Sequence, residues 1–267
     1  MNWSTLIRRA RKPLMRKARI TYITAYTAIG AAIYYILLFL PGIPIIGAPE
    51  IKMEIGAALS PVFGVLLGPI PGFGAVLLGG ILKFLTTPNI RSLPFIPAAP
   101  LSALVAGFLT ERNWKIPAVL MIAMLVIAMF TPPFNPITEY WYVYLVAFYD
   151  KIIALALIPV TMWLLSRKNI VYYYYPLLYV LMFTSREADK AFGCTIFAFP
   201  QVYQGIFGIP DVAAVRYLYM ISPLFYLVLY ILEGLVAFAV LIPLIEATSR
   251  VPGFTETLHI KHLYRKE

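Results

Sequence analysis

The chain has 267 residues, of which 61% are hydrophobic and only 13% are charged, and its formal net charge is +10. Such a composition cannot be buried inside a soluble fold of this size, so it predicts an all-α polytopic membrane protein in contact with the lipid bilayer. The basic residues stand in short segments between apolar runs, which is typical of membrane topology and argues against a nucleic-acid partner.

The N-terminus joins a basic arm, residues 1–19, to an apolar stretch from Ile20 to Leu40 that contains no charged residue. A run of this length crosses a bilayer, and its basic flank predicts that the arm stays in the cytoplasm. A cleaved signal peptide is the alternative, but the run exceeds a signal h-region and shows no obvious A-x-A site before its end. Within it, Thr24, Ala28 and Ala32 form a ridge of small residues suited to packing within the chain or against another subunit.

Further apolar runs, interrupted by proline, glycine or charge, predict about eight transmembrane helices. Their approximate bounds are 20–40, 54–68, 71–86, 94–110, 116–131, 140–166, 170–184 and 216–247. The segments expected inside carry fifteen Lys and Arg residues, whereas the segments expected outside carry five, which are Lys52, Arg91, Arg186, Lys190 and Arg216. This bias predicts a multi-pass protein of the cell membrane with both termini in the cytoplasm.

The region 186–211 is the hardest part of the chain to assign. Residues 191–209 are apolar, but Pro200, Gly205 and Gly208 interrupt them. We expect a re-entrant or interfacial segment on the outer side, and a ninth crossing is the alternative.

Small residues dominate the second, third and fourth predicted helices. Gly56, Ser60, Gly64 and Gly68 recur at a strict spacing of four, which predicts one ridge on a single helix. The next two helices carry similar ridges, formed by Ala75 and Gly79 and by Ala99, Ala103 and Gly107. Because small ridges let backbones approach closely, these three helices should form a tight core. The segment Gly68-Pro69-Ile70-Pro71-Gly72 predicts a short cytoplasmic turn between the second and third helices.

The segment IGAALSPVFGVLLGPIPGFGAVLLGGIL, residues 55–82, resembles the substrate-binding S components of energy-coupling factor (ECF) transporters, whose second and third helices are joined by a similar G-P-x-x-G turn. The pair Ala28-x-x-x-Ala32 resembles the family's first-helix A-x-x-x-A motif, and PLSALVAGFLTERNW, residues 100–114, is similar to its fourth helix and the loop that follows. The likeness covers about residues 20–166. It implies a six-helix S-component-like bundle over 20–166, followed by a C-terminal helical extension over 167–248 and a cytoplasmic tail over 249–267.

The resemblance implies an integral membrane subunit that captures a small vitamin or related metabolite from outside. Its partners would be a transmembrane coupling subunit, contacted through Ala28 and Ala32, and separate ATPase subunits. The chain contains no G-x-x-x-x-G-K-[ST] motif, so ATP hydrolysis is expected in another chain. The C-terminal extension departs from the family pattern and leaves a structural or assembly subunit of a larger membrane complex as the alternative.

A membrane enzyme is a third interpretation, and the sequence gives it little support. It contains no D-D-x-x-D pair, no zinc motif and no evident nucleophile with an adjacent base. We therefore expect no enzymatic activity, no cofactor and no metal site; His259 and His262 in the tail have no third ligand and are expected to be exposed.

Asp150 is the sharpest candidate for ligand binding, since it lies about 15 Å from the outer end of the sixth predicted helix. Glu139 precedes it by three helical turns, which predicts that both carboxyls line one pocket open to the outside. Lys151 points about 100° away and is not expected to pair with Asp150, although an intramembrane ion pair with another helix is the alternative. Glu233 is expected to be isolated and available to a partner, and Lys83 to reach the headgroups.

Polar residues in the outer loops complete the candidate site, because the resemblance implies that the loops after the first and third helices cap the ligand. A cationic ligand would use Asp150 and Glu139, whereas an anionic one would use Arg91 or Lys83. The loop candidates are Lys52 and Glu54 after the first helix, Asn89 and Arg91 after the third, and Asn135 after the fifth.

Overall fold

A computed structural model describes residues 21–45, 48–166 and 170–249. The predictions for the basic arm, for Arg167 and Lys168, and for His259 and His262 in the tail concern residues outside these ranges. The helices and strands are α1 (Thr21–Leu37), β1 (Gly42–Ile45), β2 (Ala48–Glu54), α2 (Ser60–Leu67), α3 (Pro69–Thr86), α4 (Ala98–Thr110), α5 (Lys115–Met129), α6 (Ile137–Ser166), α7 (Ile170–Phe197), α8 (Pro200–Tyr203) and α9 (Val212–Ser249). Two 3₁₀ turns, Ile55–Leu59 and Ile90–Phe95, precede α2 and α4.

The helices have the length and composition of a membrane protein, as predicted. Among the described residues, four segments are long and apolar enough to cross a bilayer, and they are Pro69–Thr86, Ile90–Thr110, Ile137–Leu165 and Val228–Thr248. Four apolar helices are shorter, among them α1 and α5. Large apolar side chains such as Ile36, Leu85 and Val119 cover the outside of the bundle. A predominantly helical membrane protein is therefore confirmed, while the eight crossings and the six-helix bundle over 20–166 stay predictions.

Close backbone contacts hold α2, α3 and α4 together, which confirms the predicted core of three helices. A Cβ atom on Gly64 of α2 would lie 1.8 Å from the Ala103 carbonyl oxygen of α4. On Gly107 of α4 it would lie 2.4 Å from Pro69, and on Gly72 of α3 it would lie 2.7 Å from the Gly64 Cα. Only glycine fits these positions, because any side chain would overlap the neighbouring backbone.

The predicted single helix over 54–68 was wrong. A 3₁₀ turn occupies Ile55–Leu59, and α2 begins only at Ser60, so Gly56 is not on the same helix as Gly64. Gly56 instead packs against α1, since a Cβ there would lie 2.1 Å from the Leu37 carbonyl oxygen. Gly68 ends α2 with φ of +91°, a conformation that favours glycine, and α3 starts at once with Pro69.

An unpredicted antiparallel hairpin fills the loop after α1. Gly42 pairs with Glu54 and Ile43 with Met53. The backbone of Lys52 lies opposite Pro44 in this ladder. The hairpin therefore delivers Glu54 to the start of the 3₁₀ turn, beside the bundle.

Helix α7 occupies the centre of the bundle, in contact with α4, α5, α6 and α9. The predicted end of this helix at residue 184 was wrong, because α7 continues without interruption to Phe197. Arg186 and Lys190, which were counted among the outer-loop cations, are instead buried inside the protein. Residues 191–197, expected to begin a re-entrant segment, form the last two turns of α7, and the short α8 follows.

The connections α3–α4, α5–α6 and α7–α9 meet at one end of the bundle. Phe207, in the connection before α9, packs edge-on against Phe95, in the connection before α4, with ring centroids 6.1 Å apart. The Arg216 guanidinium of α9 donates hydrogen bonds to the carbonyl oxygens of Pro132 and Pro133, in the connection before α6. This end is called the loop end below. At the opposite end, Arg112 donates a hydrogen bond to the Leu165 carbonyl oxygen.

Candidate ligand-binding site

A cavity of about 600 Å³ opens at the loop end and is lined by residues of α1, α3, α4, α6, α7 and α9. Its volume falls in the range typical of small-molecule sites. Aromatic and apolar side chains form its walls, polar side chains stand at its rim, and ionised side chains form its floor. These three zones are described in turn.

The floor is part of a buried ion network at the middle of the helices. Arg186 lies eleven residues before the end of α7 at the loop end, so it sits about 16 Å along that helix from Phe197. The network comprises Asp150 and Lys151 of α6, Arg186, Glu187, Asp189 and Lys190 of α7, and Glu233 of α9. Charged groups at this depth are costly unless they are paired, and these are paired with one another.

Arg186 connects three parts of the fold. Its guanidinium donates to the Glu233 carboxylate at 3.0 Å and to that of Asp189. It also donates to the Ala57 carbonyl oxygen at 2.9 Å. That oxygen lies in the 3₁₀ turn Ile55–Leu59 and also accepts a hydrogen bond from the Ser60 backbone N–H. The backbone of this turn therefore supplies one of the partners of the buried Arg186 cation.

Lys190 lies one turn further along α7. Its ammonium group is 3.0 Å from Glu187 Oε1 and 3.3 Å from Glu233 Oε2. It also lies over the ring of Tyr230, 3.5 Å from the ring centroid, a distance at which the cation is attracted to the aromatic face. Glu233, expected to be isolated, is thus the carboxylate that joins Arg186 to Lys190, and that prediction was wrong.

Lys151 and Asp150 form a neighbouring pair, with Nζ and Oδ2 2.8 Å apart and both side chains buried. The prediction that adjacent helical positions could not pair was wrong, because the long lysine chain folds back toward Asp150. The Lys151 Nζ also donates to the Ala147 carbonyl oxygen at 3.3 Å. Lys151 lines the cavity, whereas Asp150 does not.

Two buried polar atoms of the network have no hydrogen-bond partner among the described residues. They are Arg186 Nε and Glu187 Oε2. Most buried polar atoms in native proteins have a partner, so these two atoms are exceptions. Arg186 lines the cavity, although its Nε atom is itself buried.

Aromatic side chains form the walls of the cavity and its closure at the loop end. Phe207 packs between Phe95 and Phe197, with ring centroids 6.1 Å and 5.1 Å away. This group of three is called the aromatic clasp. Phe197 also packs edge-on against Tyr219 of α9, whose hydroxyl donates to the Cys194 carbonyl oxygen. Edge-to-face contacts of this kind leave ring faces for a flat ligand.

Polar side chains stand at the rim, where α3 ends. Lys83 lies 3.4 Å from the ring centroid of Phe39 and lines the cavity rather than only facing the headgroups. Asn89 Oδ1 accepts a hydrogen bond from the Arg91 backbone N–H, which fixes the turn into the 3₁₀ segment. Burial raises the pKa of the Glu54 carboxyl above its ordinary value, while the nearby charge of Lys83 opposes that shift.

The structure brings together some of the predicted site residues and separates others. Glu54 and Asn89 line the cavity. Glu139 and Asn135 are exposed and do not line it, and Arg91 is half-buried outside it. Glu139 does not share a pocket with Asp150, since the backbone at Tyr140 departs from helical geometry and interrupts the spacing between them. For Lys52 the structure describes the backbone only.

The sequence analysis missed the floor of the cavity. Arg186 and Lys190 were assigned to an outer segment because their charges were taken to mark the end of a helix. Glu233 was left without a partner. A signal was present, since Arg186 and Asp189, and likewise Glu187 and Lys190, are three residues apart and can pair along one helix. Ala28 and Ala32 are exposed on α1, on the side away from α3.

Comparisons with known proteins identify the class. Residues 20–209 match the family described as ECF-type riboflavin transporter, S component, so the chain belongs to that family of membrane transport subunits. The resemblance seen in residues 55–82 is thereby confirmed. The match continues beyond residue 166 and includes α7, which the sequence analysis placed in the extension.

One curated relative is similar over a shorter segment. An uncharacterized protein of Methanocaldococcus jannaschii is 33% identical over 101 residues, which are 36% of this chain and 34% of that protein. The chain therefore spans about a third of the length of this curated relative. No solved structure matches the chain.

Proposed function

We propose that the chain is the substrate-binding subunit of an ECF-type importer and that it captures riboflavin, or a closely related flavin, in the cavity at the loop end. Uptake would be driven by a coupling subunit and separate ATPase subunits. Membership of the S component family supports the transport role, and the printed description of the family suggests the ligand.

The cavity is the observation that carries this proposal. It offers about 600 Å³, aromatic walls and a polar floor and rim. A flavin combines a flat conjugated ring with a chain of hydroxyl groups, so aromatic faces and hydrogen-bonding groups are both needed to hold it. The rim side chains of Asn89 and Glu54 are suitable polar partners.

Equilibrium binding of riboflavin to the purified full-length chain, followed by quenching of flavin fluorescence, tests the proposal directly. We expect saturable binding that is abolished or strongly weakened in Gly80→Trp, a change that fills the cavity from α3. A Cβ on Gly80 would have its nearest neighbour 3.9 Å away, so the backbone accepts a side chain there. The matched control is Gly74→Trp, on the same helix and outside the cavity lining. Absence of riboflavin binding by the unmodified chain would contradict the proposal.

For the partner interface, the exposure of Ala28 and Ala32 on α1 supports contact with the coupling subunit. Leucine at both positions should weaken co-purification with that subunit and leave riboflavin binding unchanged, because neither residue lines the cavity. Ala214 and Ala247 are exposed alanines of α9, and leucine there is the control. Loss of folding with retained partner binding would assign the ridge to internal packing.

The proposed orientation puts the loop end outside and both termini in the cytoplasm. It is supported by the excess of cations in the segments expected inside, although two of the five outer cations lie within the bundle. In a Cys194→Ala background, cysteine at position 91 should react with an impermeant reagent from outside, and cysteine at position 115 only from inside. The reverse pattern would overturn the orientation.

A further inference from the structure

Helix α9 begins at Val212, after the end of the family match at residue 209. It nevertheless forms one wall of the cavity. Its lining residues are Leu218, Tyr219, Ser222, Tyr230 and Glu233. The part of the chain that the family does not account for therefore takes part in the site.

Glu233 has the most direct influence on the cavity floor among these residues. Its Oε2 atom lies 3.0 Å from Arg186 and 3.3 Å from Lys190, and both of these cations also line the cavity. Only 7% of Glu233 is exposed, so water does not screen these contacts. Its charge therefore acts on any ligand that reaches the floor.

The ion network carries three cations and four carboxylates, which leaves a formal net charge of −1. Without the Glu233 charge the network would be neutral, and Arg186 and Lys190 would each keep one carboxylate partner, Asp189 and Glu187. In a medium with an effective dielectric constant of about 20, a unit charge about 10 Å away changes the affinity for a charged ligand on the order of tenfold.

We propose that Glu233 sets the charge specificity of the cavity, so that it accepts an uncharged flavin and disfavours an anionic one. The carboxylate does so by giving the network its net negative charge, which repels a phosphate group, so a competing ligand is rejected by an unfavourable charge. This inference rests on the proposed flavin-binding function. It assigns to α9 the discrimination between riboflavin and riboflavin 5′-phosphate.

The test measures the dissociation constants of riboflavin and riboflavin 5′-phosphate on the full-length chain and takes their ratio. Three variants change the formal charge of the network in known steps. Glu233→Gln makes it 0, Lys190→Gln makes it −2, and the double variant restores −1. Glu246→Gln, on an exposed position of the same helix, is the matched control.

We expect the preference for riboflavin over the phosphate to fall on the order of tenfold in Glu233→Gln and to rise by a similar factor in Lys190→Gln. The double variant and Glu246→Gln should keep the ratio of the unmodified chain. If Glu233→Gln does not fold, the difference between Lys190→Gln and the double variant measures the same charge.

Equal ratios in all folded variants would overturn the inference and leave Glu233 as a structural ion-pair partner only. In that case riboflavin would still bind, so the proposed function would stand. If the unmodified chain bound neither flavin, the proposed function would fail and the inference would be overturned with it.

Discussion

Two halves of the bundle hold their helices together by different means. In α2, α3 and α4 the backbones touch through glycine, as where Gly64 meets the Ala103 carbonyl oxygen. In the other half, buried ion pairs join α7 to α9, such as Arg186 with Glu233 at 3.0 Å, and Lys151 of α6 lies 5.4 Å from the ring centroid of Tyr230 of α9. Lipid offers no hydrophobic drive for helix association, so close packing and polar contacts must supply it.

The comparison shows why the cavity has its present form. Backbone contact through glycine leaves no space between helices, so the glycine-packed half can serve as a rigid wall. The ion pairs between α7 and α9 instead place charged side chains in the interior, and these supply polar atoms at the cavity floor. The site lies where the two halves face each other, with Val76 and Gly80 on one side and Lys190 and Glu233 on the other.

The largest expected effect is in the glycine-packed half. Gly64→Ala places a methyl group 1.8 Å from the Ala103 carbonyl oxygen, and the helices must separate to accept it. We expect destabilisation of roughly 3 kcal/mol or more, measured by thermal unfolding in detergent. Gly74→Ala is the control, since its Cβ would have ordinary contacts at 3.6 Å and alanine favours a helix. Equal stability of the two variants would show that α2 and α4 are not in backbone contact.

A comparable loss of stability is expected when Asp150→Asn breaks the Asp150–Lys151 pair in the charged half. The change leaves the buried Lys151 without its carboxylate, and breaking a buried pair costs about 3 kcal/mol. Riboflavin affinity should change little, because Asp150 does not line the cavity. Replacing Lys151 by Gln in the same chain should recover part of the stability. Weaker riboflavin binding at unchanged stability would instead return Asp150 to the binding site.

A smaller effect is expected at the aromatic clasp, which closes the cavity at the loop end. Phe207→Ala removes the ring between Phe95 and Phe197, and we expect riboflavin to dissociate roughly tenfold faster with little change in association rate. Stopped-flow fluorescence measures both rates. Phe130→Ala, at a residue that is 74% exposed, is the control for loss of an aromatic ring. Unchanged dissociation would mean that the clasp does not retain the ligand.

The smallest effect concerns Glu54, at the rim between the halves. Burial raises the pKa of its carboxyl above the ordinary value of 4.5, so the folded state favours the protonated form. The stability contributed by this group is therefore fully present below about pH 4.5 and is lost as the pH rises through the raised pKa. Melting temperatures of the unmodified chain and Glu54→Gln, followed from pH 4 upward, should diverge in favour of the glutamine variant. Parallel curves would contradict the burial of this carboxyl.

Sequence reasoning succeeded where the signal is local. The spacing of Gly64, Ala103 and Gly107 predicted the three-helix core, and the turn at Gly68 followed from its glycine and prolines. It failed where a charge was taken as the end of a helix. Arg186 and Lys190 do not end α7, since their partners satisfy them inside the bundle. In the candidate site, Glu54 and Asn89 were found through the resemblance, whereas the floor was not found at all.

The sequence by itself determined that this protein lies in a lipid bilayer, and it determined the helical class, the glycine-packed core and the family. Each of these depends on composition or on spacings of a few residues, which are fixed along the chain. Only the tertiary structure decided which charges pair and which side chains face the cavity. Arg186 takes its partners from residues 47 and 129 positions away, Glu233 and Ala57. Contacts across such separations depend on how helices pack, and no local pattern encodes them.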